Sequence, residues 1–217
     1  MEKPALLAPR LAYCRNLPDA WCASYDALID RLHASGATDG APAVGDIVAD
    51  FALPDAAGHL WRLSELLADG PAVLSFNRGS WCPYCEQEIG AWSDHREALT
   101  AAGARLIIVT PEAGGRMTAL AEMAGDTAVV LCDLNMGVAM ANGLAFPVGP
   151  AILEQYLGPG FDLSEINGTA SGFLPVPATF LLDAARRVHF AFVDPDFSQR
   201  AEPEAVLAVL SSMLQAE

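Results

Sequence analysis

From Val44 onward, compact apolar runs alternate with stretches whose apolar residues recur at helical spacing. Ala72–Phe76 sits between Pro71 and Arg78 and predicts a central strand, since a strand buried on both faces shows little polar alternation. A helix is expected from about Pro83 to Ala102, with Ile89, Trp92 and Leu99 inward. Arg105–Val109 reads as a second buried strand ended by Thr110-Pro111, Met117–Met123 as a helix, and Ala128–Cys132 as a third strand. That order implies right-handed parallel crossovers. Upstream, Asp46–Leu53 reads as a strand, Pro54–Gly58 as a turn and His59–Leu63 as a short returning strand. Ser64 begins a short helix, Glu65–Ala68. Thr179–Leu182 and Val188–Val193 read as strands joined by a turn around Asp183–Arg187. The last helix shows Val206, Val209, Leu210, Met213 and Leu214 on one face.

Two stretches stand apart. Residues 1–43 are expected to form a helical extension outside the 44–217 domain. Trp21, Tyr25, Leu28 and Leu32 share a helix face, with breakers at Ser35-Gly36 and Gly40-Ala41-Pro42. Such a helix can act as a dimerisation arm or pack on its own domain, and the pattern does not separate the two. Residues 134–174, rich in glycine and proline, read as an insertion that shapes a pocket, with short helices at Val138–Asn142 and Ile152–Leu157.

Hydrophobic residues make up 53% of the 217 and charged residues 18%, which marks a folded chain rather than a disordered one. The net charge of -15 argues against nucleic acid or an anionic membrane as a partner. Met1–Arg10 lacks the apolar core of a secretion signal, and no apolar run is long enough to span a bilayer, so a cytoplasmic location is expected. In that setting Asn167-Gly168-Thr169 is a chance match to a glycosylation sequon. Five cysteines, an odd number, favour inert packed thiols plus one reactive set over a disulfide framework. Cys14, Cys22 and Cys132 are expected to be packed.

The reactive set is Cys82 and Cys85, in Ser80-Trp81-Cys82-Pro83-Tyr84-Cys85 at a strand-to-helix junction. The thiolate is the nucleophile, and a helix N-terminus favours it through unpaired N–H groups and a partial positive charge. Pro83 suits the first turn, where its missing N–H costs nothing. Cys85 lies one turn deeper, within reach of a disulfide. Cys82 is expected to attack and Cys85 to resolve. A zinc site would need two further ligands, and the chain has no second C-x-x-C and no H-x(3–5)-H. Pro175-Val176-Pro177-Ala178-Thr179 leads into a strand, where a proline is allowed at the first residue.

These segments together resemble the AhpC/TSA peroxiredoxin-like branch of the thioredoxin superfamily. The likeness also takes in Val44-Gly45-Asp46 through Asp55, Leu63-Ser64-Glu65, Val176–Phe180 and Phe192–Asp196. It implies an α/β thioredoxin-like fold, a central mixed sheet flanked by helices, with the N-terminal helical extension outside it. By resemblance, Pro177 takes the place of a cis-proline facing the active-site cysteines. The family's P-x-x-x-T-x-x-C pattern is not kept: Gly79 replaces the threonine and Ser75 the proline, leaving Ser80 as the neighbouring hydroxyl. The arginine that polarises peroxide is matched by Arg200 or, alternatively, Arg78, either of which could instead be solvated. Trp81 joins the site beside the cysteines. Glu86 or Glu88 could handle protons, although charges early in a helix are usually solvated.

The resemblance implies a thiol oxidoreductase that reduces hydroperoxides through Cys82 and Cys85, recycled by a thiol donor such as a thioredoxin or glutathione system. No cofactor or metal is expected, and a homodimer is possible. A protein disulfide reductase and a non-enzymatic redox sensor are the alternatives.

Overall fold

The structure, a computed structural model, describes residues 7–14 and 17–215. The side chain of Cys14, expected to be packed, lies outside the described residues. Helices α1 (Leu7–Cys14) and α2 (Asp19–Ala34) open the chain. A hairpin of β1 (Ala52–Pro54) and β2 (Leu60–Arg62) leads into α3 (Leu63–Leu66). Then come β3 (Ala72–Phe76), α4 (Pro83–Asp94), α5 (Arg96–Ala101), β4 (Arg105–Thr110), α6 (Met117–Ala124) and β5 (Ala128–Cys132). The insertion contains α7 (Gly137–Ala141), β6 (Ala145–Pro147), α8 (Pro150–Leu157), α9 (Leu163–Ile166) and β7 (Phe173–Pro175). Strands β8 (Ala178–Leu182) and β9 (Val188–Val193) and helix α10 (Pro203–Gln215) finish it.

The main sheet runs β5-β4-β3-β8-β9. Strands β3, β4 and β5 are parallel, and β8 and β9 add antiparallel beside β3. All residues of β3 are buried, as its compact apolar run requires. Its alternate side chains feed two apolar layers. Leu74 and Phe76 join Ile107, Val109, Leu131 and Phe180 on one face. Val73 packs on the other with Ile108, Leu181, Ile89, Trp92, Leu120 and Leu210. No described helix is long and apolar enough to cross a membrane.

Three local expectations change. The expected strand 46–53 contracts to β1 and a single bridge between Ile47 and Arg187. Asp46 and Asp50 turn their carboxylates onto backbone N–H groups of Ala43 and Ser64, at 2.9 and 3.0 Å, which competes with ladder pairing. The long helix breaks at His95 (φ -102°, ψ 7°), so α4 and α5 are separate. Cys132 is half-buried on its strand rather than enclosed.

The extension packs on its own chain. Leu7, Leu11, Leu28 and Leu32 share one apolar cluster with Tyr84, Ala91, Phe146, Ile152 and Tyr156. Arg31 Nη2 donates to the carbonyls of Pro147 and Val148 at 2.8 and 2.9 Å, tying α2 to the insertion. In the sequon, Asn167 is buried.

Candidate active site

The β3-to-α4 connection carries the motif. Cys82 is the residue before α4, with extended backbone (φ -94°, ψ 113°), and Pro83 is the first helical residue. Both thiols are buried and free, and Cys82 is only 1% exposed. The Arg78 backbone N–H donates to Cys85 Sγ at 3.4 Å, and Arg200 Nη2 reaches the same sulfur at 3.6 Å. Burial alone raises the Cys82 thiol. Hydrogen bonds from the Cys85 side chain and backbone, with the Arg78 and Arg200 guanidiniums, outweigh burial and bring it down to about 6. Burial and then the facing Cys82 thiolate push Cys85 well above the usual thiol range. The pair is therefore divided into a thiolate at the helix end and a thiol one turn inside.

Both candidate arginines are buried, not solvated. Arg78 lies over the rings of Phe197 and Trp81, at 4.4 and 4.8 Å from their centres, and donates through Nη2 to the Tyr156 hydroxyl. Its Nε has no partner among the described residues. Burial works against the Arg78 charge, yet facing Tyr156 and Cys82 hold its proton affinity above the ordinary arginine value.

Arg200 is held from behind. Its Nε donates to Glu88 Oε2 at 2.7 Å, with both side chains 1% exposed, and Nη1 donates to the Phe197 and Gln199 carbonyls. The β3–β8 register sets Ser75 beside Thr179 on the sheet face that α4 covers. Both hydroxyls donate to Glu88 Oε1, at 2.8 and 3.3 Å, and Asn77 Nδ2 donates to Ser75 Oγ at 2.8 Å. Burial raises the Glu88 carboxyl above its usual range, with Arg200 opposing. Glu88 is thus an ion-paired group, contrary to the expectation of a solvated helix charge; Glu86 is half-buried.

The other candidates fall into place unequally. The Ser80 hydroxyl and backbone N–H both donate to Glu112, at 2.8 and 2.9 Å, so Ser80 anchors the loop. Burial raises the Glu112 carboxyl against those bonds. Trp81 Nε1 donates to the Arg78 carbonyl at 3.0 Å, fixing the ring beside Cys82. Pro177 is buried just before β8, but no described peptide bond is cis, so the expected cis-proline is a trans residue here. Cys132 lies at the far edge of the sheet, its thiol raised by burial and by Asp133. No cluster of three metal-ligating side chains occurs among the described residues.

A cavity of about 290 Å³ opens onto Cys82. Arg78, Trp81 and Tyr84 come from the motif, Tyr156 and Phe161 from the insertion, and Trp21 and Tyr25 from the extension. The insertion's pocket role follows from its position between β5 and β8. The aromatic contribution of α2 was hidden, because Trp21 and Tyr25 look like ordinary members of an apolar helix face.

A model of the AhpC/TSA family matches residues 44–191. Two Mycobacterium tuberculosis proteins named as peroxiredoxins, from strains CDC 1551 and H37Rv, are each 28% identical over 170 residues, spanning 78% of this chain and 96% of theirs. The crystal structure of the peroxidoxin BcpB from Mycobacterium tuberculosis superposes with a TM-score of 0.60 at 25% identity, covering 78% of this chain and 97% of that one. A reduced peroxiredoxin from Vibrio vulnificus shares the fold, with a TM-score of 0.62 at 19% identity over 78% of this chain and 99% of that one. By the family match, the relatives and the shared fold, the chain belongs to the AhpC/TSA family, as a peroxiredoxin-like protein of the thioredoxin superfamily.

Proposed function

We propose that this thiol-dependent peroxidase works through a Cys82/Cys85 dithiol cycle. The Cys82 thiolate attacks the terminal oxygen of a hydroperoxide. The O–O bond breaks, Cys82 becomes a sulfenic acid, and the alkoxide leaves as the alcohol after taking a proton. The Cys85 sulfur then attacks the Cys82 sulfur. An S–S bond forms, the S–O bond breaks, and the Cys85 proton leaves with the hydroxide as water. An external dithiol, or two monothiols, returns two electrons and two protons to reopen the disulfide. Arg78, whose Nε is unpartnered among the described residues and which lines the cavity, is the group that polarises the peroxide oxygen.

The observation that carries this reading is the Cys82 sulfur lining a cavity, its residue 1% exposed, with the buried guanidiniums of Arg78 and Arg200 lowering its thiol. A small hydroperoxide fits such a cavity, whereas a protein disulfide would have to be brought down to a covered sulfur.

Stopped-flow oxidation by hydrogen peroxide, followed through tryptophan fluorescence, tests it. The expected signal is far faster than that of an ordinary thiol and absent in Cys82→Ser. In Cys85→Ser the first phase remains and the sulfenic acid accumulates, trapped by dimedone. A response no faster than free cysteine with both hydrogen peroxide and cumene hydroperoxide removes the peroxidase, and mixed disulfides accumulating on Cys85→Ser would then assign a disulfide reductase.

A further inference from the structure

We infer that the N-terminal extension is a wall of the substrate site, and that its Trp21 and Tyr25 select hydroperoxides with an aromatic or bulky apolar body over hydrogen peroxide. This inference rests on the peroxidase reading of Cys82 and names its substrate class.

Size comes first. Hydrogen peroxide needs roughly the space of two waters, about 60 Å³. The cavity over Cys82 is about 290 Å³. Its chemistry agrees. Trp21 stacks on Tyr156 with ring centres 5.9 Å apart, and Tyr25 meets Trp21 edge-on at 5.6 Å. Trp81 stands 5.3 Å from Tyr156 and 5.7 Å from Phe161. Trp21, Tyr25, Trp81 and Phe161 are only half-buried, so a small peroxide would leave them partly against water, while an aromatic body covers them and gains edge-to-face and stacked contacts. Arg78 is the one charged residue among the described residues that line the cavity, and its Nε is unpartnered among them. A ligand with an apolar body and one terminal oxygen matches that division.

The wall is also built, not incidental. Trp21 and Tyr25 sit on α2, which Leu28 and Leu32 bury against the chain and Arg31 bonds to the insertion. They lie outside residues 44–191, the part the family model matches, so the selectivity is a property of this chain's own extension.

The alcohol product serves as an unreactive probe. The Cys82→Ser protein is titrated by calorimetry with 2-phenyl-2-propanol and with tert-butanol. The aryl alcohol is expected to bind at least tenfold tighter. Adding Trp21→Ala, or Phe161→Ala on the opposite wall, is expected to weaken aryl binding about tenfold, with thermal melts confirming that both variants fold. In the active protein, Trp21→Ala lowers the kcat/KM ratio of cumene hydroperoxide to hydrogen peroxide by a similar factor. Equal affinity for the two alcohols, or aryl binding indifferent to both substitutions, overturns the inference. Selective aryl binding without any peroxide turnover supports the wall and removes the peroxidase; turnover without aryl preference does the reverse.

Discussion

At residue 79 the chain departs from its family's threonine, and the surroundings show what that glycine permits. Gly79 has φ +133°, a conformation that side chains rarely adopt. A Cβ there would stand 2.6 Å from Glu112 Cδ and 2.8 Å from Trp81 Cδ1. The glycine, the Glu112 clamp on Ser80 and the Trp81 ring are one arrangement. Gly79→Ala is expected to cost about 2 kcal/mol, read from the denaturant midpoint, and to shift Trp81 emission. Titration offers a second check. With Cys82 brought down to about 6, the protonated thiol dominates below that pH and the thiolate above it. The second-order oxidation rate should climb through pH 6 and level off near neutrality. Arg78→Met removes a positive charge facing the sulfur, so the midpoint should move upward; an unmoved midpoint would show that Arg78 does not stabilise the thiolate.

At the scale of elements, the Glu88–Arg200 pair joins α4 to the segment before α10 beneath the two sulfurs. Glu88→Gln leaves the guanidinium buried without its counter-charge, and a loss of about 3 kcal/mol is expected on chemical unfolding. Adding Arg200→Met should recover part of that loss, a coupling visible in a double-mutant cycle. The strands were legible because runs such as Ala72–Phe76 and Arg105–Val109 are apolar without alternation. The placement of Cys82 and Cys85 at a strand-to-helix junction was legible from their spacing and neighbours. Glu88 was not: its neighbours in sequence describe a helix, while its partners, Ser75, Thr179 and Arg200, come from two strands and a loop as far as 112 residues away. The strand expected at 46–53 failed for a related reason, since Asp46 and Asp50 carboxylates compete for the backbone. In α2 the periodicity found the buried face, and Leu32→Ala should cost about 2–4 kcal/mol. Ile47→Ala, at a residue 54% exposed, should change stability by only a few tenths.

Over the whole molecule, three parts of the chain that are distant in sequence close around one sulfur: the extension, the motif and the insertion. A net charge of -15 surrounds them, and its self-repulsion opposes the compact state. Raising sodium chloride from about 10 to about 200 mM shortens the Debye length from roughly 30 to under 10 Å. The melting temperature should therefore rise by a few degrees; a fall would mean that surface attractions outweigh the like-charge repulsion.

The covered position of Cys82 reverses the usual link between reactivity and labelling. In the folded protein, Cys22 and Cys132 are half-exposed while Cys82 and Cys85 are enclosed. A bulky maleimide or a biotinylated iodoacetamide meets the two bystanders first and must pass the aromatic rings to reach the thiolate. Cysteine profiling with such reagents would rank the nucleophile among the quiet thiols of this chain, and a probe shaped like its substrate would restore the order.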